Sequence, residues 1–135
     1  MIFVDTNFFL RFLREDIVAQ AKEAGELFEA ASHGKVRLLT STIVFFEVYW
    51  VLTSFYRTSK GDVTRVLRGI LAMSFIFLDE RQTLVRAVDI FATTNIGLED
   101  AYNLAYAHGQ QAEEFKTFDK KLGKIFKADV AHHTA

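Results

Sequence analysis

Four short apolar runs, IFV (2–4), VRLLT (36–40), FIFL (75–78) and EFKTF (114–118), punctuate a chain otherwise written in helical periods. Each has the length of a buried strand rather than a buried helix. Between them NFFLRFL carries apolar residues at 8, 9, 12 and 13, the stripe of an amphipathic helix. VAQAKEAGELFEAASHG reads as a helix that stops at Gly34, a C′ glycine. Further helices are expected over 42–56, 62–73, 81–93, 99–109 and 119–126, and a short final strand near ADVA (128–131). Strands separated by helices cannot close hairpins, so they pair in parallel through helical crossovers. The expected fold is α/β: one domain over 1–135, with a parallel sheet of four to five strands flanked by helices.

Composition narrows the chemistry. Half of the 135 residues are hydrophobic and 14 are Phe, enough for a large core with apolar surface left for a partner. With no cysteine, disulfides and thiolate metal sites are excluded. A net charge of −1 argues against a generic nucleic-acid coat but not against an enzyme with a local basic rim. The first residues form a strand-like segment rather than a charged region before a long apolar one, so no signal peptide is expected. The longest apolar segment, IVFFEVYWVL, is too short to span a bilayer and contains Glu47. The expected location is the cytoplasm, with no membrane association.

Several carboxylates stand in unusual places. Asp5 sits where the first strand turns into a helix, where it can cap orphan amides or hold a ligand at the C-terminal edge of the sheet. Asp119 repeats that placement after EFKTF. Asp100 lies in the first turn of a helix, suited to the macrodipole, with Glu99 beside it as an alternative. Glu47 has Ile43, Val44, Trp50 and Val51 at i±3 and i±4, so it is expected to be buried, paired with an Arg or bound to a cation. If the four converge, their repulsion requires a divalent cation. Hard oxygen donors select Mg²⁺ or Mn²⁺, and such a centre suits attack of water on a phosphodiester.

In order along the chain, VDTN, a Glu inside an apolar helix, EDAYNLAYAHG and TFD resemble the acidic motifs of the PIN domain. More narrowly they resemble the toxin ribonucleases of VapBC toxin–antitoxin systems. The resemblance covers nearly the whole chain. It implies a metal-dependent endoribonuclease with Asp5, Glu47, Asp100 and Asp119 as catalytic residues and metal ligands. Thr6 matches the small hydroxyl residue after the first Asp, and Thr117 the one before the last. The implied cofactor is Mg²⁺ or Mn²⁺, the substrate RNA, and the partner a cognate antitoxin. Together with the apolar surplus, the resemblance also suggests a homodimer.

Basic residues cluster at Arg11 and Arg14, at Arg57, Lys60, Arg65 and Arg68, and at Lys116, Lys120, Lys121, Lys124 and Lys127. The last group surrounds Asp119, which makes Lys116, Lys120 and Lys121 candidates for phosphate contact. Arg11 is a candidate for an antitoxin carboxylate. His33 and His108 fall near helix ends, and His132 and His133 in a frayed tail. Two other readings stand beside the toxin: a PIN-like nuclease of RNA processing, and a non-catalytic Mg²⁺-binding α/β regulatory domain. A receiver-type domain wants paired acids after its first strand, where Asp5 stands alone. A haloacid-dehalogenase-type phosphatase wants a second Asp where Asn7 stands.

Overall fold

Short apolar strands followed at once by capped helices organise the first part of the chain. A computed structural model describes the backbone of residues 1–134 and the side chains of residues 1–129. Two compact units emerge, Met1–Glu80 and a second from Arg81 onward. No helix among the described residues is long and apolar enough to cross a membrane.

The first unit runs β1 (Ile2–Phe3), α1 (Thr6–Arg14), α2 (Val18–Ser32), β2 (Leu38–Leu39), α3 (Thr42–Trp50), α4 (Lys60–Leu71) and β3 (Ile76–Phe77). The strands pair in parallel in the order β1-β2-β3, with Ile2, Leu38 and Ile76 in one row and Phe3, Leu39 and Phe77 in the next. Leu38 and Ile76 are buried, whereas Phe3 and Phe77 are about half exposed. Phe28 of α2 is an aromatic hub, its ring 4.9 Å from Phe12, 5.6 Å from Phe9, 5.7 Å from Phe8 and 6.3 Å from Phe75. Much of the phenylalanine content is spent there, at edge-to-face and tilted spacings that favour ring pairs.

Gly34 ends α2 as its sequence position suggests. At φ +75° it is left-handed. Its amide reaches the Ala31 carbonyl and the Lys35 amide that of Ala30, the paired bonds of a Schellman motif. Helix α3 instead loosens into a π-helical turn, Val51–Phe55. There the Thr53 hydroxyl donates to the Tyr49 carbonyl at 2.9 Å, competing with the backbone for that acceptor. The Arg14 guanidinium caps the end of this turn, 3.5 Å above the Tyr56 ring centroid.

The second unit consists of α5 (Arg81–Thr93), α6 (Leu98–Gly109) and α7 (Lys120–Thr134). Helix α6 packs on both α5 and α7. Asp129 of α7 ties the three together: its carboxylate lies 3.1 Å from Arg86 of α5 and 3.5 Å from His108 of α6.

Two strand expectations are corrected. Three strands, not four to five, form among the described residues. EFKTF is irregular, because Lys116 and Thr117 are exposed and Phe118 is fully exposed, leaving no apolar face for a strand to bury. ADVA continues α7 instead of forming a strand, since Asp129 is held in helical phase by Arg86 and His108. The same helix runs through positions 132 and 133 rather than fraying, and the side chains of His132 and His133 lie outside the described residues.

Candidate active site

Parallel strands deliver their following residues to one edge of a sheet. In the first unit that edge carries Asp5 after β1, the Thr40-Ser41-Thr42 run after β2 and Glu80 after β3. Asp5 caps α1, its Oδ1 accepting the Phe8 amide at 3.1 Å. Its Oδ2 has no protein partner among the described residues, so capping consumes half of the carboxylate. Thr6, the next residue, is half-buried in the first turn of α1. Asp5 also lines a surface groove of about 260 Å³ with Asn7, Phe8, Arg11, Gln20 and Glu23. Arg11 is held there by Asp16 at 3.2 Å.

The neighbouring strand ends are tied down by hydroxyls. Thr40 Oγ1 donates to the Val4 carbonyl at 2.8 Å in a buried bond. Ser41 accepts the Val44 amide and so caps α3, and Thr42 donates to Glu80 Oε2 at 2.6 Å. Sequence reasoning missed Thr40, Thr42 and Glu80. The signal was present in LLTST and FLDE, polar residues directly after apolar runs, the same pattern that singled out Asp5.

Glu47 departs from expectation. It is exposed, and no ion pair or hydrogen bond holds its side chain among the described residues. The helix buries Val44, Phe45, Phe46, Val48 and Tyr49, while Ile43 and Trp50 are 61% and 40% exposed on the face of Glu47. An apolar neighbourhood in sequence therefore became a solvent-facing apolar stripe with a carboxylate in its middle. Among the described residues Glu47 forms no buried ion pair with an Arg.

In the second unit Asp100 occupies the first turn of α6 beside Glu99. Asp100 is half-buried and Glu99 exposed. Asp100 has no hydrogen-bond or ion-pair partner among the described residues, whereas Glu99 is engaged. Asp119 is placed by a turn rather than by a strand end. The Thr117 hydroxyl accepts the Asp119 amide at 3.0 Å, and Asp119 Oδ1 accepts the Lys121 and Leu122 amides at 2.9 and 3.2 Å. Its Oδ2 is left over, as in Asp5. Of the nearby lysines, Lys116 is paired with Glu114 at 3.4 Å, whereas Lys120 and Lys121 are exposed and unpaired among the described residues.

Asp5 and Glu47 thus belong to the first unit, Asp100 and Asp119 to the second. Among the described residues no three His, Cys, Asp or Glu side chains gather closely enough to hold a metal ion. Each of the four carboxylates keeps at least one oxygen free of protein hydrogen bonds among the described residues, and carboxylate oxygen is the donor type that hard divalent cations take.

No curated protein and no solved structure matches the chain. The family model for the PIN domain matches residues 2–127, a span that includes all four carboxylates and most of each unit. PIN domains are generally nucleases, and typically use divalent metal ions. With its parallel α/β sheet and the acidic residue that follows β1, the chain belongs to the PIN domain family.

Proposed function

We propose that the chain, as a single PIN domain over 1–135, is an Mg²⁺- or Mn²⁺-dependent endoribonuclease and the toxin of a type II toxin–antitoxin pair. The observation that carries the nuclease reading is the half-used carboxylate of Asp5. It follows β1 at the C-terminal edge of the sheet, with Oδ1 on the Phe8 amide and Oδ2 free. Asp5, Glu47, Asp100 and Asp119 are the proposed ligands and catalytic residues. A bound divalent ion supplies charge neutralisation at the scissile phosphate and a lowered pKa for the attacking water. The protein's part is positional: Thr40 fixes the strand end before Asp5, and Thr117 sets the turn that carries Asp119. Toxin function, an antitoxin partner and a homodimer rest on the ordered motifs VDTN, EDAYNLAYAHG and TFD. The exposed apolar residues Ile43, Trp50 and Phe55 are surface that a partner can cover.

The test is end-group analysis of RNA incubated with the full chain and Mn²⁺. Cleavage with a metal-activated water leaves a 5′-phosphate and a 3′-hydroxyl and stops in EDTA. Products ending in a 2′,3′-cyclic phosphate, formed equally well in EDTA, overturn the reading.

A further inference from the structure

Some basic residues of this protein are held by acidic ones, and the lysines at the start of α7 are not. Arg11, Lys22, Arg65, Arg86 and Lys116 each sit within 4.0 Å of a carboxylate. Lys120, Lys121, Lys124 and Lys127 are exposed and have no acidic partner among the described residues. At 100° per residue, Lys120, Lys124 and Lys127 fall within about 60° of arc on α7, opposite the buried Leu122 and Phe126. Over seven residues they span about 10 Å along the axis, the reach of about three phosphates in a stacked strand. Two of the four lysines open the helix, at the positive end of its dipole, where cations are unfavourable for folding.

A second observation stands at the foot of this stripe. Phe118 precedes Asp119 and is wholly exposed, at 108% of its reference area. The neighbouring ring, Phe115, packs on Phe126 at 5.5 Å instead. A fully solvated phenyl ring beside an unpaired lysine stripe is the pairing that single-stranded nucleic acid uses, base on ring and backbone along cations.

We infer that α7 and Phe118 form a binding track for single-stranded RNA. A base stacks on Phe118, and the phosphates beyond it follow Lys120, Lys124 and Lys127. The inference rests on the nuclease reading for its substrate class and adds where the strand runs beyond Asp119. An acidic polypeptide is the weaker occupant: Phe118 is a single ring, and protein interfaces need a desolvated core of several apolar groups.

The experiment measures binding of a fluorescein-labelled oligouridylate to the full chain in EDTA, by anisotropy, across a salt series. Lys120→Gln/Lys124→Gln/Lys127→Gln should lower the magnitude of the log Kd against log salt slope by about 2, near 0.7 per lost phosphate contact. Phe118→Leu should weaken binding about tenfold with the slope unchanged, and Phe118→Trp should restore it. Lys35→Gln/Arg37→Gln, exposed residues of the first unit, serves as the control. An unchanged slope in the triple variant overturns the track. So does equal competition by polyglutamate, or a Phe118→Leu variant that alters only the sedimentation of the protein. Cleavage by the wild-type chain in Mn²⁺ is scored separately. Loss of the slope effect with cleavage intact removes the track alone, and the slope effect without cleavage removes the nuclease reading alone.

Discussion

The hydroxyl of Thr40 donates to the carbonyl of Val4 across 2.8 Å, joining the end of β2 to the residue just before Asp5. Both residues are buried, so this bond fixes the backbone from which the first acidic side chain projects. Thr40→Val keeps the shape and leaves that carbonyl without its hydroxyl. The variant should lose about 1–2 kcal/mol in urea unfolding, and Thr40→Ser should recover most of it. Equal stability of Thr40→Val and wild type would show that the bond contributes nothing.

Asp5 can be divided into its two roles by the choice of substitution. Asn retains an oxygen for the Phe8 amide, whereas Ala retains none. Asp5→Ala should therefore cost about 1 kcal/mol and Asp5→Asn only a few tenths. Both should abolish Mn²⁺-dependent cleavage. An active Asp5→Asn enzyme would reduce Asp5 to a helix cap.

For Glu47 the exposed position decides the expected stability. Glu47→Gln should leave the unfolding free energy within about 0.5 kcal/mol of wild type while removing cleavage. Thermal melts alongside the RNA assay read both quantities. A fall of several kcal/mol would mean that the carboxylate serves packing, against its exposure.

Metal binding should be visible without catalysis. A ligand held only by the native state stabilises it, by about 2.7 kcal/mol at a hundredfold excess over Kd. Millimolar Mn²⁺ should raise the melting temperature of wild type, and Asp100→Asn should blunt the rise. A wild-type melting curve indifferent to Mn²⁺ removes the metal from the proposal.

Asp129 is the structural counterpart to these sites. It holds Arg86 and His108 from inside the second unit, with side chains 16–32% exposed. Asp129→Ala should cost roughly 1–2 kcal/mol, the lower part of the range for charge-assisted hydrogen bonds because the cluster is partly solvated. Amide exchange should quicken along α7 first.

Local signals were legible and non-local ones were not. Asp5 and Asp119 both cap helices, and Gly34 adopts the left-handed geometry its position announced. Those outcomes depend on three or four consecutive residues. Glu47 was misjudged because an apolar sequence neighbourhood says nothing about whether the neighbours themselves are covered, and Ile43 and Trp50 are not. EFKTF was misjudged because a strand needs a partner, which local periodicity cannot supply. The π-helical turn at Val51–Phe55 left no trace beyond Thr53, a residue common in ordinary helices. The sequence reading singled out carboxylates and passed over the hydroxyls of Thr40 and Thr42, which tie down the strand ends around Asp5.

The caps on α1 and α7 carry a consequence in entropy. A free aspartate must give up its rotamers when it takes hold of an ion or a water. Asp5 and Asp119 have already settled theirs, because Oδ1 of each is anchored to backbone amides. That ordering cost, at most about 1 kcal/mol for so short a side chain, was met when the helices formed. Under the proposed function, whatever Oδ2 binds meets a donor already ordered, and the modest task of starting a helix doubles as preorganisation.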